Sequence, residues 1–371
     1  MQESISGTIS TPKIAVDAMG GDFAPALVVK GAALASANHG IKVVLVGNEE
    51  KIREELEKDG GSHHQIEIHN APEVIEMGEE PFHLIRKKRH SSLRIAFELV
   101  RENEAHALVS AGNSGAVVYG ALFILKRLKY IDRPGIGTIM PSLSGMVMVI
   151  DAGANTICKP QNLVQFAIMG SSYCRHVLGL ANPRVGVLSN GEEETKGTDL
   201  TRLANELLKK SSLNYLGYVE GRDVFNGNAD VVVCDGFVGN VLLKVSEGVS
   251  ETLLKTLKEE IQRSSLSRFG YLLAKKSFVN FRKRFDYSEY GGAPLLGVNK
   301  PVILGHGKSN AHAVRNAIRM ANNLVLKNIT HTLTEELREN EDLISLKKTH
   351  IFFNKIFGGV KAKQKPETIG E

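Results

Sequence analysis

Five times in this sequence an apolar run ends in a loop of glycine, asparagine and aspartate, and the residues that follow read as helix. The loops are DAMGGD (Asp17–Asp22), SAGNSGA (Ser110–Ala116), DAGAN (Asp151–Asn155), SNGEEETKG (Ser189–Gly197) and DGFVGN (Asp235–Asn240). Glycine leaves backbone N–H groups uncovered, and a helix N-terminus adds about half a positive charge, so such loops suit an anion. Asn113, Ser114 and Gly115 form a donor-rich nest at a helix start, suited to phosphate. A single junction of this kind is usually just a turn. Five together predict one anion-binding cleft at the carboxyl edge of a parallel sheet.

Other chemistries fit the residues less well. GHGKS (Gly305–Ser309) imitates the end of a phosphate-binding P-loop, but Val302 stands where that motif requires glycine. Gly135 and Gly137 are followed by Met140 where a dinucleotide fingerprint needs glycine, so no nucleotide cofactor is expected. His63, His64 and His69 lie in a polar approach to a strand and at its end, which favours a solvated surface over a metal site. Cys158 follows the DAGAN loop, yet nothing near it in sequence would lower its pKa, so a covalent acyl-cysteine is not expected. Asp17 and Asp22 flank Gly20 and Gly21, and a carboxylate beside phosphate repels it. Their expected role is loop architecture.

The elements that position these loops alternate. Short β-branched runs at Lys13–Met19, Ile41–Val46, Gln65–His69, Ala107–Ser110, Gly135–Met140, Met146–Asp151, Arg184–Leu188, Val231–Asp235 and Val302–Leu304 read as strands. Helical periodicity marks Pro25–Asn38, Glu49–Lys58, Ser91–Glu102, Leu200–Lys210 and Ala311–Leu326, with Asp199 placed to cap the fourth. Alternation of this kind predicts an α/β fold with a doubly wound, mainly parallel sheet.

Composition bounds the function. The 371 residues are 42% hydrophobic and 23% charged, which suits a soluble globular protein with a large core of its own. Three cysteines without paired spacing point to a reducing cytoplasm. The polar start of the chain lacks the apolar core of a signal peptide. The longest apolar run, Ala116–Leu125, falls far short of the ~20 residues that span a bilayer. A net charge of +5 favours an acidic partner, an anionic substrate or a lipid surface. RNA-type aromatic signatures are absent, so no nucleic acid partner is expected.

Two segments depart from the alternation. Residues 262–285 carry seven Lys or Arg, no acid and five aromatics, with Tyr271, Ala274, Phe278, Phe281 and Phe285 on one helical stripe. That pattern suits a helix lying in an anionic bilayer interface or, equally well in periodicity, a packed helix. Residues 347–371 read as a lysine-rich appendage to a unit covering 13–346.

Several longer motifs are similar to those of the bacterial phosphate acyltransferase family. They are VDAMGGDFAP, MGEEPFHLIRKKRHSSLRIAFELV, SAGNSGA, DAGAN, GYVEGRDVFNGNADVVVCDGFVGNVLLK and YGGAPLLGV followed by HGKSNAHAVRNAI. The resemblance runs from about Lys13 to about Leu326, with Ser114, Ser142 and Ala152 as conservative departures. It implies two α/β lobes around a cleft, similar to phosphotransacetylases and isocitrate/isopropylmalate dehydrogenases, assembled as a homodimer. It also implies transfer of a fatty acyl group from acyl-[acyl-carrier-protein] to inorganic phosphate, without a cofactor. The acyl phosphate would feed glycerol-3-phosphate acylation in phospholipid synthesis. A phosphotransacetylase using acyl-coenzyme A is the alternative.

Within that resemblance Lys196 and Asn240 match positions implicated in activity. From sequence alone Lys196 reads equally as a surface lysine pairing with Glu192 to Glu194, and Asn240 as a helix cap. Gly20, Gly21, Asn113, Ser114, Gly115, Asp151, Asn155, Asp235, Gly236, Gly239 and His306 are the expected phosphate and substrate residues. Arg86, Lys87, Lys88 and Arg89 form a basic cluster suited to the acidic carrier protein. Peripheral membrane association through Tyr271, Phe278, Phe281 and Phe285 completes the expectation, at the inner face of the cell membrane and near the downstream membrane acyltransferase.

Overall fold

The computed structural model describes residues 11–61, 64–285 and 287–344, without the side chains of Arg282, Phe285 and Tyr287. The tail 347–371 and His63 lie outside the described residues. Eleven strands form one sheet. They are β1 (Lys13–Asp17), β2 (Lys42–Gly47), β3 (Ile66–Asn70), β4 (Ala107–Ser110), β5 (Gly135–Ser142), β6 (Gly145–Ile150), β7 (Arg184–Leu188), β8 (Asn214–Val219), β9 (Val231–Val233), β10 (Ala293–Leu296) and β11 (Val302–Leu304).

Their spatial order is β3-β2-β1-β4-β11-β10-β5-β6-β9-β7-β8. Seven of the ten pairings are parallel, and the three antiparallel ones adjoin at β11-β10, β10-β5 and β5-β6. The strands of β3-β2-β1-β4-β11 therefore run opposite to those of β6-β9-β7-β8. This corrects the expectation of a single carboxyl edge. Loops after β1, β4 and β11 leave at one edge, and loops after β6, β7 and β9 leave at the other. The β5-β6 hairpin, turned at Ser142–Gly145, reverses the direction.

Period-two alternation places helices on both faces. Ile14 and Val16 of β1 pack into a core with the Ala26–His39, Pro160–His176 and Ala311–Leu326 helices, while Ala15 faces the Ser92–Arg101 helix on the other side. A third cluster, with Val147, Val149 and Val232, lies behind the start of the Gly236–Gln262 helix. The fourth expected helix runs Asp199–Leu208, and its cap is Thr198, whose hydroxyl accepts from Thr201 N at 3.3 Å, rather than Asp199. The helix Gly236–Gln262 packs almost entirely through its first turn, where Gly236 and Gly239 are its buried residues. The helix Ser265–Phe285 follows it. Among the described residues no helix is long and apolar enough to cross a membrane.

Candidate active site

Two knots of hydrogen bonds hold the loops. In the first, buried Asp17 accepts from Ser110 Oγ at 2.7 Å and from Met19 N at 3.3 Å. Gly20 is pressed against Gly112, since a Cβ on Gly20 would lie 2.5 Å from Asp17 Oδ2 and 2.8 Å from Gly112 N. Asp22 N donates to Gly307 O at 2.8 Å, so the β1 loop braces the loop after β11. Burial raises the Asp17 pKa, and its hydrogen bonds oppose the shift.

In the second knot fully buried Asp151 accepts from the amides of Ile136 at 2.9 Å, Gly153 at 3.2 Å, Ala154 at 3.0 Å and Asn155 at 2.7 Å. Asn155 Nδ2 adds a fifth bond at 2.8 Å and also reaches Pro134 O at 2.7 Å. Burial raises the Asp151 pKa against those donors. Asp235 caps the Gly236–Gln262 helix by accepting from the amides of Phe237 and Val238, both at 3.0 Å. Asn240 lies in the second turn and is therefore not the cap. Gly236 N donates to Asn155 O at 2.7 Å, tying the helix to the β6 loop.

The two knots face one pocket of about 360 Å³ across the face of β5, β10 and β11. Gly112 and Ser114 line it from the β4 loop, Gly305, His306, Gly307 and Ser309 from the β11 loop, and Gly153 from the β6 loop. Asn240, Leu243, Lys244 and Glu247 line it from the helix, at the i, i+3, i+4, i+7 spacing of one helical face. Over about 10 Å this face carries residues from one sheet edge toward the other, which lets oppositely directed loops share a pocket. Gly153 adjoins Asn240, where a Cβ would make only ordinary contact at 3.7 Å from Asn240 Cγ, so it is the backbone φ of +138° that calls for glycine there.

Of the residues singled out by sequence, Ser114, Asn240 and His306 line this pocket. Gly115 lines a groove leading from it. Gly20, Gly21, Asn113, Asp151, Asn155, Asp235, Gly236 and Gly239 stand behind the wall and fix it. Asn113 is the clearest case. Its Oδ1 caps the next helix through Ala116 N at 3.0 Å, and its amide holds the carbonyls of Met77 at 3.0 Å and Glu79 at 2.9 Å. Lys196 is exposed on the loop after β7, outside the pocket lining, and among the described residues it makes no ion pair. Two of the three glutamates expected to pair with it are engaged elsewhere: Glu194 binds Lys209 at 2.5 Å and Glu192 lies 3.5 Å from Arg222.

Two wall residues escaped the sequence reading. Thr138 of β5 lines the pocket with its buried hydroxyl lacking any protein partner. Nothing in a strand sequence distinguishes such a threonine from a core β-former. Lys244 lines the pocket and pairs with Glu247 at 2.7 Å, and the helical step of four from Asn240 would have found it. The Cys158 thiol is pushed up to about 12 by burial and by the charges of Asp151 and Asp235, so it is no nucleophile near neutral pH. In the basic cluster Arg86, Lys87 and Arg89 are exposed. Lys88 is spent on Glu79 and on Val74 O at 2.6 Å. Tyr271 and Phe278 are half-buried, with ring centroids 5.2 Å apart, and Phe281 is exposed. Phe285's side chain lies outside the described residues.

Comparison with known proteins agrees with this architecture. Residues 12–332 match the model of a family described as fatty acid synthesis protein. The chain is 55% identical over 331 residues to a phosphate acyltransferase of Geotalea uraniireducens, covering 89% of this chain and 96% of that one. It is 54% identical over 325 residues to a phosphate acyltransferase of Geobacter sulfurreducens, covering 88% and 94%. Among solved structures it is similar in fold to a phosphotransacetylase from Streptococcus pyogenes, with TM-score 0.57 and 21% identity over 84% of this chain and 93% of that one. A branched-chain phosphotransacylase from Enterococcus faecalis follows, with TM-score 0.51 and 16% identity over 85% and 99%.

Proposed function

The chain belongs to the fatty acid synthesis protein family and is a phosphate acyltransferase by its homologues, and on that premise we propose that it moves a fatty acyl group from acyl-[acyl-carrier-protein] to inorganic phosphate. A phosphate oxygen attacks the thioester carbonyl, a tetrahedral oxyanion forms, and the carrier's thiol leaves as acyl phosphate is released. Phosphate is already anionic near neutral pH, and a thiol of pKa about 8.5 departs readily as thiolate. The protein therefore needs neither a strong base nor a strong acid. It needs to hold phosphate beside the carbonyl and to place donors where the oxyanion develops.

The observation that carries this reading is the convergence of Ser114, Asn240 and His306 on one pocket floored by Thr138. Phosphate lies between the Gly112–Ser114 and Gly305–Gly307 loops, and the Asn240 amide donates to the carbonyl. The buried, partnerless Thr138 hydroxyl in the wall is the donor that seating the carbonyl against it would engage. His306 Nδ1 accepts from Lys308 N at 3.1 Å, which puts the neutral ring's proton on Nε2, a donor for phosphate oxygen. Lys244 stands on the wall with its charge offset by Glu247 at 2.7 Å, and serves as a cation for phosphate by exchanging that partner. Lys196 supplies positive charge from the loop after β7, at the edge where Asp151 and Asp235 lie.

The product is acyl phosphate for glycerol-3-phosphate acylation in phospholipid synthesis, which places the protein in the cytoplasm, peripherally at the inner face of the membrane and near the acyltransferase that consumes it. Exposed Leu266, Phe269, Leu272 and Leu273, beside Arg268, support contact with an anionic lipid interface. They lie on the Ser265–Phe285 helix apart from the half-buried Tyr271 and Phe278. A homodimer is supported by the apolar stripe Val238, Val241, Val245, Val249, Leu253 and Leu257, exposed at steps of three and four. Measuring thiol release from acyl carrier protein with and without phosphate tests the reaction; release that ignores phosphate overturns it. The alternative, an acyl-coenzyme A substrate, has the fold likeness to phosphotransacetylases in its favour. Comparing the two thioesters at equal concentration decides between them.

A further inference from the structure

The active-site pocket does not end at Ser114. Ser114, Ile136 and Gly153 also line a groove of about 260 Å³ with Pro81, Val118, Tyr119, Leu122 and Ala154, an apolar wall. Leu122 in turn lines a wider cavity of about 750 Å³ that opens between Lys126, Arg127, Arg133 and Lys159. The three spaces adjoin in turn along one helix, the first two sharing Ser114, Ile136 and Gly153 and the last two sharing Leu122; that helix begins at Ser114 and ends in a π-turn at Ala121–Leu125. Wider turns of that kind recur at functional sites.

The mouth is strongly cationic. Asp132 is the sole acid lining it, against four cations. Arg127 is fixed by donating from Nη1 to Asp132 O at 2.8 Å. Among the described residues Lys126, Arg133 and Lys159 make no ion pair, and all three are exposed. Phe123 stands exposed at the rim, its ring 4.2 Å from that of Tyr119. Cations around an exposed aromatic match the surface of an acidic protein better than bulk water.

We propose that the acidic acyl carrier docks on this mouth, at Lys126, Arg127, Arg133 and Lys159, and lays its pantetheine arm along the groove to the Asn240 pocket. The inference rests on the transacylase reading above. Length agrees with it. From Ser114 to Leu125 the helix rises roughly 15 Å. An arm of thirteen bonds between sulfur and phosphorus, extended like a peptide chain, reaches about the same distance. The apolar wall suits the gem-dimethyl and methylene part of the arm. The mouth takes the carrier's acidic side chains and the phosphodiester that joins arm to protein. This face differs from the Arg86–Arg89 cluster, none of whose residues lines the groove or its mouth.

The test uses the full chain with Arg133→Glu and Lys159→Glu combined, both at exposed positions. Initial rates are measured on acyl carrier protein, acyl-coenzyme A and uncharged acyl-pantetheine. The expected result is that kcat/KM on the carrier, relative to acyl-pantetheine, falls about tenfold through KM, with Tm retained and with a weakened salt dependence. A constant ratio overturns the docking site. So does a parallel fall for the carrier and coenzyme A, since the mouth would then read small anionic phosphates. Leu122→Trp, placed across the groove, is expected to raise KM for the carrier and pantetheine substrates alike; unchanged KM on both rejects the path. If the unaltered protein releases no thiol in response to phosphate, it is the transacylase reading that fails.

Discussion

Replacing Gly239 with alanine puts the geometry of the pocket on trial. Gly239 precedes Asn240 and presses the first turn of its helix onto the carbonyl of Asp151. A Cβ there would lie 1.9 Å from Asp151 O, 2.9 Å from its carbonyl carbon and 3.0 Å from Cys234 Sγ. Contacts below 3.0 Å are essentially never seen, so backbone must retreat by about 1.1 Å. Asp151 cannot move without loosening its five donors, so the helix moves and takes Asn240 with it. A misplacement of that size costs about 10²-fold in rate. Overpacking costs about 1–3 kcal/mol, and alanine's better helix propensity returns about 1. The net loss is about 0–2 kcal/mol, a Tm lower by at most a few degrees. Gly248 lies in the same helix with open space where a Cβ would stand, so Gly248→Ala serves as the control. It is expected to keep full turnover and gain stability of up to about 1 kcal/mol. Turnover is read by thiol release and stability by thermal melting. Wild-type turnover in Gly239→Ala would refute the reasoning.

Asn240→Asp keeps the side chain's size and removes its donor. With Asp235 as the cap, turnover is expected to drop about 10²-fold at unchanged Tm, and near-normal turnover would remove Asn240 from the chemistry. Thr138→Val fills the same space without the hydroxyl; kcat is expected to fall about tenfold while Tm holds or rises, because a buried orphan is removed. Lys196→Ala and Lys244→Ala separate the two candidate cations: each is expected to raise KM for phosphate, and a variant without effect excludes its residue. Asp230 binds Arg184 through Nε at 3.0 Å and Nη2 at 2.9 Å. Burial works against its charge, yet Arg184 outweighs burial and holds the carboxyl below the usual range. The stability it contributes is present above the unfolded carboxylate pKa and is lost as pH falls through the lowered folded one. Asp230→Asn is expected to cost about 1–2 kcal/mol at neutral pH, tempered by Arg184's exposure, and to flatten the acid limb of Tm against pH.

Strands with β-branched runs and an amphipathic helix between them were legible because burial on defined faces writes a period into the chain. β10 was not. Pro294 argues against a central strand, and it is accommodated because β10 meets β5 through Leu295 and Leu296 alone. β8 is an edge strand whose register shifts, so its alternation is broken. The Pro160–His176 helix is buried from Gln161 to Cys174 and shows no polar face to read. In the site, the loops that carry the knots were visible as glycine and carboxylate at strand ends. Their roles were only partly so. Asp151 and Asn155 brace rather than bind, because five donors already occupy one carboxylate. Which edge each loop leaves from depends on the β5-β6 reversal, a tertiary fact that strand composition does not encode. The mouth at Lys126–Lys159 joins residues from separate elements and has no local signature at all.

Arsenate mimics phosphate and its arsenic can be located in a crystal by anomalous scattering. A crystal soaked in arsenate is predicted to show one strong site between the Gly112–Ser114 and Gly305–Gly307 loops, within hydrogen-bonding reach of His306 and facing Asn240. Arsenic found only at the Lys196 loop, or only in the mouth between Arg127 and Arg133, would contradict the account.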